Sequence, residues 1–284
     1  MYQLIDGKLV SQSVKDRIRD EVAQLNKDGK EITLAVIIVG DDPASRVYVN
    51  NKKKACEYVG FRSLEYALPA ETTQEELISL IKELNDRDDV NGILCQLPVP
   101  KHIDDKAVIA AISVEKDVDA FSSYNVGKIM IGDYDFLPCT PAGVMEMLRY
   151  YDIAVEGRNC VVIGRSNIVG KPMSMLLLHE NGTVTITHSR TKNLAEITKQ
   201  ADILVAAVGR AKFVTADMVK DGAVVIDVGM NRDENGKLCG DVDFNSVAEK
   251  CSYITPVPGG VGPMTRAMLM VNTLRAARLR QGAR

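Results

Sequence analysis

The sequence has no tryptophan and only three histidines, and none of its six cysteines falls in a Cys-x-x-Cys pair. It also lacks an apolar run of the roughly 18 residues that a membrane-spanning helix needs, and its first residues lack the basic stretch and apolar core of a signal peptide. These absences argue against a disulfide framework, an exported protein and a membrane protein. The histidine spacing predicts no metal site. The sequence therefore favours a cytoplasmic protein with reduced thiols.

An excess of one charge is lacking as well. The 35 basic and 38 acidic residues leave a net charge of −3, which gives no sign of a nucleic-acid partner. With 284 residues, of which 46% are hydrophobic, the chain is long enough for two lobes that each bury a core.

Short β-branched runs alternate with longer amphipathic stretches, which predicts an α/β fold with a mainly parallel sheet in each lobe. An irregular stretch is expected over residues 119–141. We predict a first lobe over residues 1–140, a nucleotide-binding lobe over 141–263, and a last helix over 264–284 that packs back on the first lobe. The predicted strands cover residues 34–39, 63–68, 92–97, 159–163, 183–187, 203–207, 224–227 and 253–255.

A glycine-bearing turn follows the strand at 159–163. Gly164 directly follows this strand and Gly170 begins a helix, so an anion could bind at unpaired N–H groups of the helix N-terminus. The spacing is not a strict G-x-G-x-x-G motif, and a tight turn without a ligand explains it too. Small residues near Gly209 and Gly229 end two further strands and would admit a flat ligand, although either glycine could equally be a plain turn.

The end of the next strand bears on the choice of dinucleotide. An NAD site usually has an acidic residue there, which binds the ribose 2′-hydroxyl. Here the chain has Ser189 and Arg190 instead, and a hydroxyl and a guanidinium suit a 2′-phosphate. This favours NADP, unless Arg190 is only a solvated loop residue.

In the first lobe, Ser45, Tyr48 and Lys52 are spaced to share one face of a helix. A tyrosine four residues before a lysine can form a proton relay if the ammonium is partly buried. The alternative is that Lys52 belongs to a solvated charge run with the two lysines that follow it.

Three other segments carry polar or unusual backbone features. Gln96 ends a predicted strand and offers a donor and an acceptor to a heterocycle, or it bonds to loop backbone. Asp119 could bind an aminopyrimidine edge or could stabilise a turn. The run from Thr255 to Thr265 is rich in glycine and proline, which fixes a backbone path near a ligand or forms a structural joint.

Taken together, these segments resemble the bifunctional methylenetetrahydrofolate dehydrogenase/cyclohydrolase family over nearly the whole chain. The motifs that carry the resemblance occur in the order of the family: Tyr48-Val-Asn-Asn-Lys52, Gln96-Leu-Pro98, Lys116-Asp-Val-Asp119, Gly164-Arg-Ser-Asn-Ile-Val-Gly-Lys-Pro172 and Pro258-Gly-Gly-Val-Gly-Pro-Met-Thr265. The last of them is highly specific.

The resemblance implies oxidation of 5,10-methylenetetrahydrofolate with NADP, followed by hydrolysis of the methenyl product to 10-formyltetrahydrofolate, by a homodimer without a metal. It implies that Lys52 is the principal acid/base, that Gln96 assists Lys52, that Tyr48 shapes the folate pocket and that Asp119 holds the pterin. It also implies a Rossmann-like NADP lobe. The implied cofactor residues are Gly164, Arg165, Ser166, Ile168, Ser189 and Arg190, and the implied substrate residues further include Pro258, Gly259 and Gly260.

The chain departs from the usual family pattern at four positions, which are Cys95, Ala120, Ser122 and Arg266. None of them removes a predicted catalytic group. Two other hypotheses are an NADP-dependent dehydrogenase of another small substrate, such as a hydroxy or amino acid, and a catalytically silent nucleotide sensor. The folate-type residues of the first lobe argue against both.

Overall fold

The computed structural model describes residues 2–27, 31–280 and 282. In the first half of the chain, helices and strands alternate up to residue 95 and three helices follow. The elements are β1 (Gln3–Leu4), α1 (Gly7–Lys27), β2 (Thr33–Val39), α2 (Pro43–Val59), β3 (Arg62–Leu68), α3 (Gln74–Asp86), β4 (Gly92–Cys95), α4 (Asp105–Ala111), α5 (Ser123–Ile131) and α6 (Cys139–Tyr150).

The second half contains most of the strands and ends in a long helix. Its elements are β5 (Asn159–Ile163), α7 (Gly170–His179), β6 (Thr183–Thr187), α8 (Leu194–Thr198), β7 (Ile203–Ala206), β8 (Ala223–Asp227), β9 (Asn231–Arg232), β10 (Leu238–Cys239), α9 (Phe244–Val247), β11 (Cys251–Ile254) and α10 (Val261–Arg280). Every predicted strand is present within a few residues of its predicted bounds, and the α/β fold is confirmed.

The chain divides into two compact units. The three-stranded unit comprises Gln12–Cys139 and the chain from Arg266 onward, and the six-stranded unit comprises Thr140–Thr265 and the N-terminal segment up to Ser11. The predicted lobe boundaries differ from this division at the N-terminus, because β1 pairs in parallel with β11 and so joins the second sheet.

The three-stranded unit is built on a parallel sheet in the order β3-β2-β4. All seven residues of β2 are buried, as expected for a central parallel strand covered on both faces. One face of the sheet packs on α3, whose Leu77, Ile81 and Leu84 recur at helical spacing and are fully buried. The carboxyl ends of all three strands therefore lie along one edge of this sheet.

The six-stranded unit contains a parallel sheet in the order β1-β11-β8-β7-β5-β6. Strands β5, β7 and β8 are almost wholly buried, which explains their continuous apolar sequences. The chain passes from β5 outward to β6 and then crosses to β7 on the other side of β5. The carboxyl ends of β5 and β7 thus form the topological switch point, where open parallel sheets bind ligands.

The predicted irregular stretch over residues 119–141 is partly wrong, since α5 lies within it. The Ser122 side chain accepts the N–H of Asn125 and begins this helix, and Gly132, with φ of 78°, ends it. These two caps are the signals that locate α5 in the sequence.

The last helix packs on the three-stranded unit, as predicted. Asn272 is buried, and its Nδ2 donates to the carbonyl oxygens of Val118 at 2.7 Å and Leu137 at 2.8 Å. Near its end, Arg280 donates to the carbonyl oxygen of Val90 at 2.8 Å. The final residues of the predicted range 264–284 lie outside the described part of the chain. None of the described helices combines the length and the apolar character needed to cross a membrane.

We expect Asn272→Ala to lower the free energy of unfolding by about 1–3 kcal/mol, because a buried and a partly buried carbonyl group would lose their donor. Chemical denaturation measures the change. Arg275→Ala on the same helix is the control: it removes only a partly exposed ion pair with Asp135 and should cost less than about 1 kcal/mol. Equal losses for the two variants would contradict the buried role of Asn272.

Candidate active site

Helix α2 presents a lysine to the end of β4. Asp42 accepts the N–H of Ser45 and begins the helix, with Pro43 in its first turn. Lys52 is half-buried, and its Nζ donates to Oε1 of Gln96 at 2.9 Å. The lysines at 53 and 54 are exposed, so the solvated-charge-run alternative holds for them and not for Lys52. Gln96 also bonds to loop backbone, since its Nε2 donates to the Leu97 carbonyl at 2.7 Å.

A buried aspartate organises the turn that carries Asp119. Asp117 is 2% exposed, and its carboxylate accepts N–H groups of Ser122 at 2.8 Å and the Asn125 side chain at 2.9 Å. Asp117, rather than Asp119, therefore stabilises this turn. Cys139 Sγ lies 3.7 Å from Oδ1 of Asp119 and donates to it.

The charge of Asp119 is influenced by burial and by Lys52. Burial raises the pKa of the Asp119 carboxyl above its ordinary value, and the positive charge of Lys52 acts in the opposite direction. In the three-stranded unit, the Lys52 ammonium is thus hydrogen-bonded to the Gln96 amide and interacts electrostatically with the Asp119 carboxyl.

In the six-stranded unit, the turn after β5 is packed too tightly for any residue but glycine at two positions. Gly164 has φ of 126°, and a Cβ there would lie 2.2 Å from the carbonyl oxygen of Ala207. A Cβ at Gly170 would lie 2.2 Å from the carbonyl oxygen of Gly164. The packing brings the loops after β5 and β7 together at the switch point.

The expectation of unpaired N–H groups at the start of α7 is wrong. Ser166 Oγ accepts the N–H groups of Val169 and Gly170, and the Ser166 carbonyl accepts the N–H of Lys171. Ser166 therefore occupies N–H groups at the start of the helix that an anion would otherwise bind. The exposed surface of this turn is the loop from Arg165 to Ile168.

The end of β6 displays the two residues that favoured a 2′-phosphate. Ser189 and Arg190 are exposed in a turn, where the Arg190 N–H donates to Nδ1 of His188 at 3.2 Å. Because β6 neighbours β5, this turn and the Arg165–Ile168 loop lie at the same edge of the sheet. The tightly packed glycine turn after β5 is thus followed, at the end of β6, by an arginine without a carboxylate. These groups fit a dinucleotide that carries a 2′-phosphate.

The glycine- and proline-rich segment packs against the start of α1. A Cβ at Gly7 would overlap the carbonyl oxygen of Gly260, and Ser11 Oγ donates to the carbonyl oxygen of Pro263 at 3.1 Å. Gly259 has φ of 110°, and the peptide bond before Pro258 is cis. The structural-joint interpretation therefore holds for Gly260, which lies with Pro258 and Gly259 in the six-stranded unit.

The four departures from the family pattern are accommodated locally. Ala120 has φ of 58°, in the left-handed region that favours glycine, and Ser122 begins α5. Burial raises the pKa of the Cys95 thiol to about 12. Arg266 is half-buried, and its guanidinium interacts electrostatically with Tyr48.

Two further buried aspartates, Asp227 and Asp241, which the sequence motifs did not single out, bind the loops after β7 and β8. The run Gly240-Asp-Val-Asp243, which repeats the Asp-Val-Asp of residues 117–119, was the available signal. Within the described ranges, no cluster of three or more histidine, cysteine, aspartate or glutamate residues is arranged to hold a metal ion.

Comparison with known families accounts for both units. Residues 5–119 match the catalytic domain of tetrahydrofolate dehydrogenase/cyclohydrolase, and residues 138–281 match the NAD(P)-binding domain of the same enzymes. The chain belongs to the tetrahydrofolate dehydrogenase/cyclohydrolase family. The resemblance of the sequence motifs is confirmed, and the family is inconsistent with a dehydrogenase of hydroxy or amino acids.

Individual members of the family are similar over almost their whole length. The bifunctional protein FolD of Lachnoclostridium phytofermentans is 63% identical over 278 residues, 98% of this chain and 99% of that protein. The crystal structure of the FolD enzyme of Campylobacter jejuni has 50% identity and a TM-score of 0.96, covering 99% of this chain and 100% of that one. The FolD of Trypanosoma brucei, solved with NADP and an inhibitor, has 39% identity and a TM-score of 0.94, covering 99% and 98%.

We expect Gly164→Ala to destabilise the protein by several kcal/mol, because the strained backbone and the overlap with the Ala207 carbonyl act together. Gly157→Ala is the matched control: Gly157 also has a positive φ, of 71°, but nothing lies within 4 Å of its added Cβ. That variant should lose only about 1–2 kcal/mol. Thermal unfolding compares the two, and equal losses would show that the packing of the loops after β5 and β7 is not tight.

Proposed function

We propose that the chain oxidises 5,10-methylenetetrahydrofolate with NADP and hydrolyses the 5,10-methenyl product to 10-formyltetrahydrofolate, with Lys52 as the acid/base of the hydrolysis. The observation that carries the assignment to Lys52 is its half-buried Nζ, which donates to Oε1 of Gln96 at 2.9 Å. A lysine amine that a neutral amide holds in a fixed position can serve as a general acid or base.

Other residues of the three-stranded unit orient Lys52 and bind the folate. Gln96 orients the Lys52 amine through its oxygen while its own N–H is fixed by the Leu97 carbonyl. Asp119 binds the aminopyrimidine edge of the pterin, because a carboxylate accepts two parallel N–H donors. Tyr48, one helical turn before Lys52, contributes to folate binding in this unit, and the family resemblance also assigns Pro258, Gly259 and Gly260 to substrate binding.

The chemistry balances without a metal. NADP supplies the acceptor for the hydride that leaves the methylene carbon between the two folate nitrogens. Water then adds to the methenyl carbon, and Lys52 accepts a proton of that water. Cleavage of the bond from this carbon to N5, with proton delivery to N5, leaves the formyl group on N10.

The six-stranded unit holds the cofactor. Gly164 allows the close approach of the pyrophosphate, and Arg165, Ser166 and Ile168 lie on the exposed loop beside it. Ser189 and Arg190 bind the 2′-phosphate, since a guanidinium forms paired hydrogen bonds with phosphate oxygens.

Residues 1–140 with the last helix supply the folate-binding part, and residues 141–263 supply the NADP-binding part. The protein acts as a homodimer in the cytoplasm. The exposed edge strand β6, whose Ile186 is 38% exposed, supports association through the NADP-binding part.

We expect Lys52→Met to slow the hydrolysis of methenyltetrahydrofolate by roughly 10²- to 10⁴-fold, the usual contribution of a general acid or base. The decay of methenyltetrahydrofolate absorbance measures the rate, and growth of the reduced-nicotinamide band with NADP and methylenetetrahydrofolate measures the first step. Lys53→Met changes the exposed neighbour and should leave both rates within about twofold of the parent. Unchanged hydrolysis in Lys52→Met would remove Lys52 from the mechanism.

We expect Arg190→Gln to raise the KM for NADP roughly 10- to 100-fold, because a charge-assisted bidentate contact with the 2′-phosphate is lost. The KM for NAD, which has no such phosphate, should stay the same. Initial rates with both cofactors measure the effect. A parallel rise for NADP and NAD would mean that Arg190 does not recognise the 2′-phosphate.

A further inference from the structure

A fully buried carboxylate holds the loop that follows β7. Asp241 is 0% exposed. Its Oδ2 accepts the N–H groups of Val208 at 2.6 Å and Gly209 at 3.0 Å, and its Oδ1 accepts the N–H of Arg210 at 2.8 Å. Three successive backbone N–H groups thus converge on one side chain, which fixes the path of the loop.

The same carboxylate also holds the loop that follows β8. Its Oδ1 accepts Nδ2 of Asn231 at 2.9 Å. A Cβ at Gly229 would lie 2.4 Å from the Asp241 carboxylate, so this loop approaches the buried charge as closely as a backbone can. Asp241 therefore joins the ends of two adjacent strands of the sheet.

A second buried carboxylate holds Asp241 in place. Asp227, 4% exposed, ends β8, and its carboxylate accepts the N–H groups of Asp241, Val242 and Gly229, each at 2.9 Å. A Cβ at Gly240 would overlap the Asp227 carboxylate. The segment around Asp241 is therefore locked to the end of β8.

The position of these loops in the sheet assigns them to one end of the dinucleotide. The 2′-phosphate belongs to the adenosine half, and its binding residues follow β6. The pyrophosphate belongs to the turn after β5. Because the sheet order is β6-β5-β7-β8, the other half of the dinucleotide extends over the ends of β7 and β8. The loops that Asp241 joins are those at residues 208–210 and 229–231.

We propose that Asp241 is a positioning residue for the nicotinamide half of NADP: by holding the loops after β7 and β8 together, it places the hydride acceptor for the oxidation step. This inference rests on the proposed function. It adds to it the group that orients the reactive end of the cofactor, as distinct from the groups that bind the adenosine end.

The deciding variant is Asp241→Asn, which keeps the shape of the side chain. Each carboxylate oxygen of Asp241 accepts two N–H groups, whereas an amide presents one of its two ends as a donor to such groups. One pair of contacts is therefore lost and the two loops move. A displacement on the order of 1 Å costs roughly 10²-fold in a hydride transfer.

Comparing two ligands distinguishes an effect on the nicotinamide half of the cofactor site from an effect on the adenosine half. NADP binding should weaken about tenfold or more in Asp241→Asn, while adenosine 2′,5′-bisphosphate, which has the 2′-phosphate and no nicotinamide, should bind as it does to the parent. Titration calorimetry on the full chain measures both affinities without turnover. In kinetic assays the dehydrogenase kcat should fall, and the hydrolysis of added methenyltetrahydrofolate should remain within about twofold.

Asp202→Asn is the matched control. Asp202 is a carboxylate of the same unit that accepts the backbone N–H of Asn159 at 2.9 Å and forms an ion pair with Lys220, but it lies at the amino ends of the strands. Its replacement should lower the Tm without changing the ratio of the affinities for NADP and adenosine 2′,5′-bisphosphate. Asn231→Ser, which removes one contact of Asp241, is the milder second variant and should give the same selectivity with a smaller effect.

Two results would overturn the inference. One is equal weakening of NADP and adenosine 2′,5′-bisphosphate, which would make Asp241 a general support of the fold. The other is unchanged NADP affinity and unchanged kcat in Asp241→Asn or, should that variant not fold, in Asn231→Ser. Failure of the proposed function is distinguishable, because the parent protein would then show no NADP-dependent oxidation of the folate.

Discussion

Loops at the functional edge of each sheet are held by buried aspartates whose oxygens accept N–H groups. Asp117 holds the turn that carries Asp119, and Asp227 and Asp241 hold the loops after β7 and β8. Backbone and amide N–H groups compensate the desolvation of these three carboxylates. A loop bound in this way loses several hydrogen bonds at once when it moves. The result is a rigid loop at a position where loops are ordinarily mobile.

Much of the fold could be predicted because parallel strands buried on both faces have continuous apolar sequences bounded by glycine. Strands β5 and β6 have their predicted bounds. Helix α5 was missed because its Gly127 and its exposed Met130 and Ile131 obscure the amphipathic pattern. Strand β1 was missed because two residues carry no periodicity, and only pairing with β11 makes them a strand.

The candidate site was predictable where residue type determines the chemistry. Lys52 and Gln96 are such residues, and the structure places them in hydrogen-bonding contact. Asp241 was not predictable in this way, because its partners are mainly backbone N–H groups about 30 residues earlier in the chain, and the sequence does not specify which N–H groups a distant side chain meets. The pairing of the α7 N–H groups with Ser166 was not predicted for the same reason. The identity of a residue shows which donors and acceptors it has, but not which groups they bond to.

The two proposed chemical steps need different groups from the protein, and the two units differ in the groups they supply. Hydride transfer needs precise placement of a bound ring and no titratable group. In the six-stranded unit, buried carboxylates that accept N–H groups fix the two loops to which we assign that placement. Hydrolysis needs a group that gains and loses a proton, and in the three-stranded unit Lys52 meets the neutral oxygen of Gln96. In the proposed hydrolysis, Gln96 positions the lysine amine, and Asp119, which takes no part in that hydrogen bond, is assigned to substrate binding.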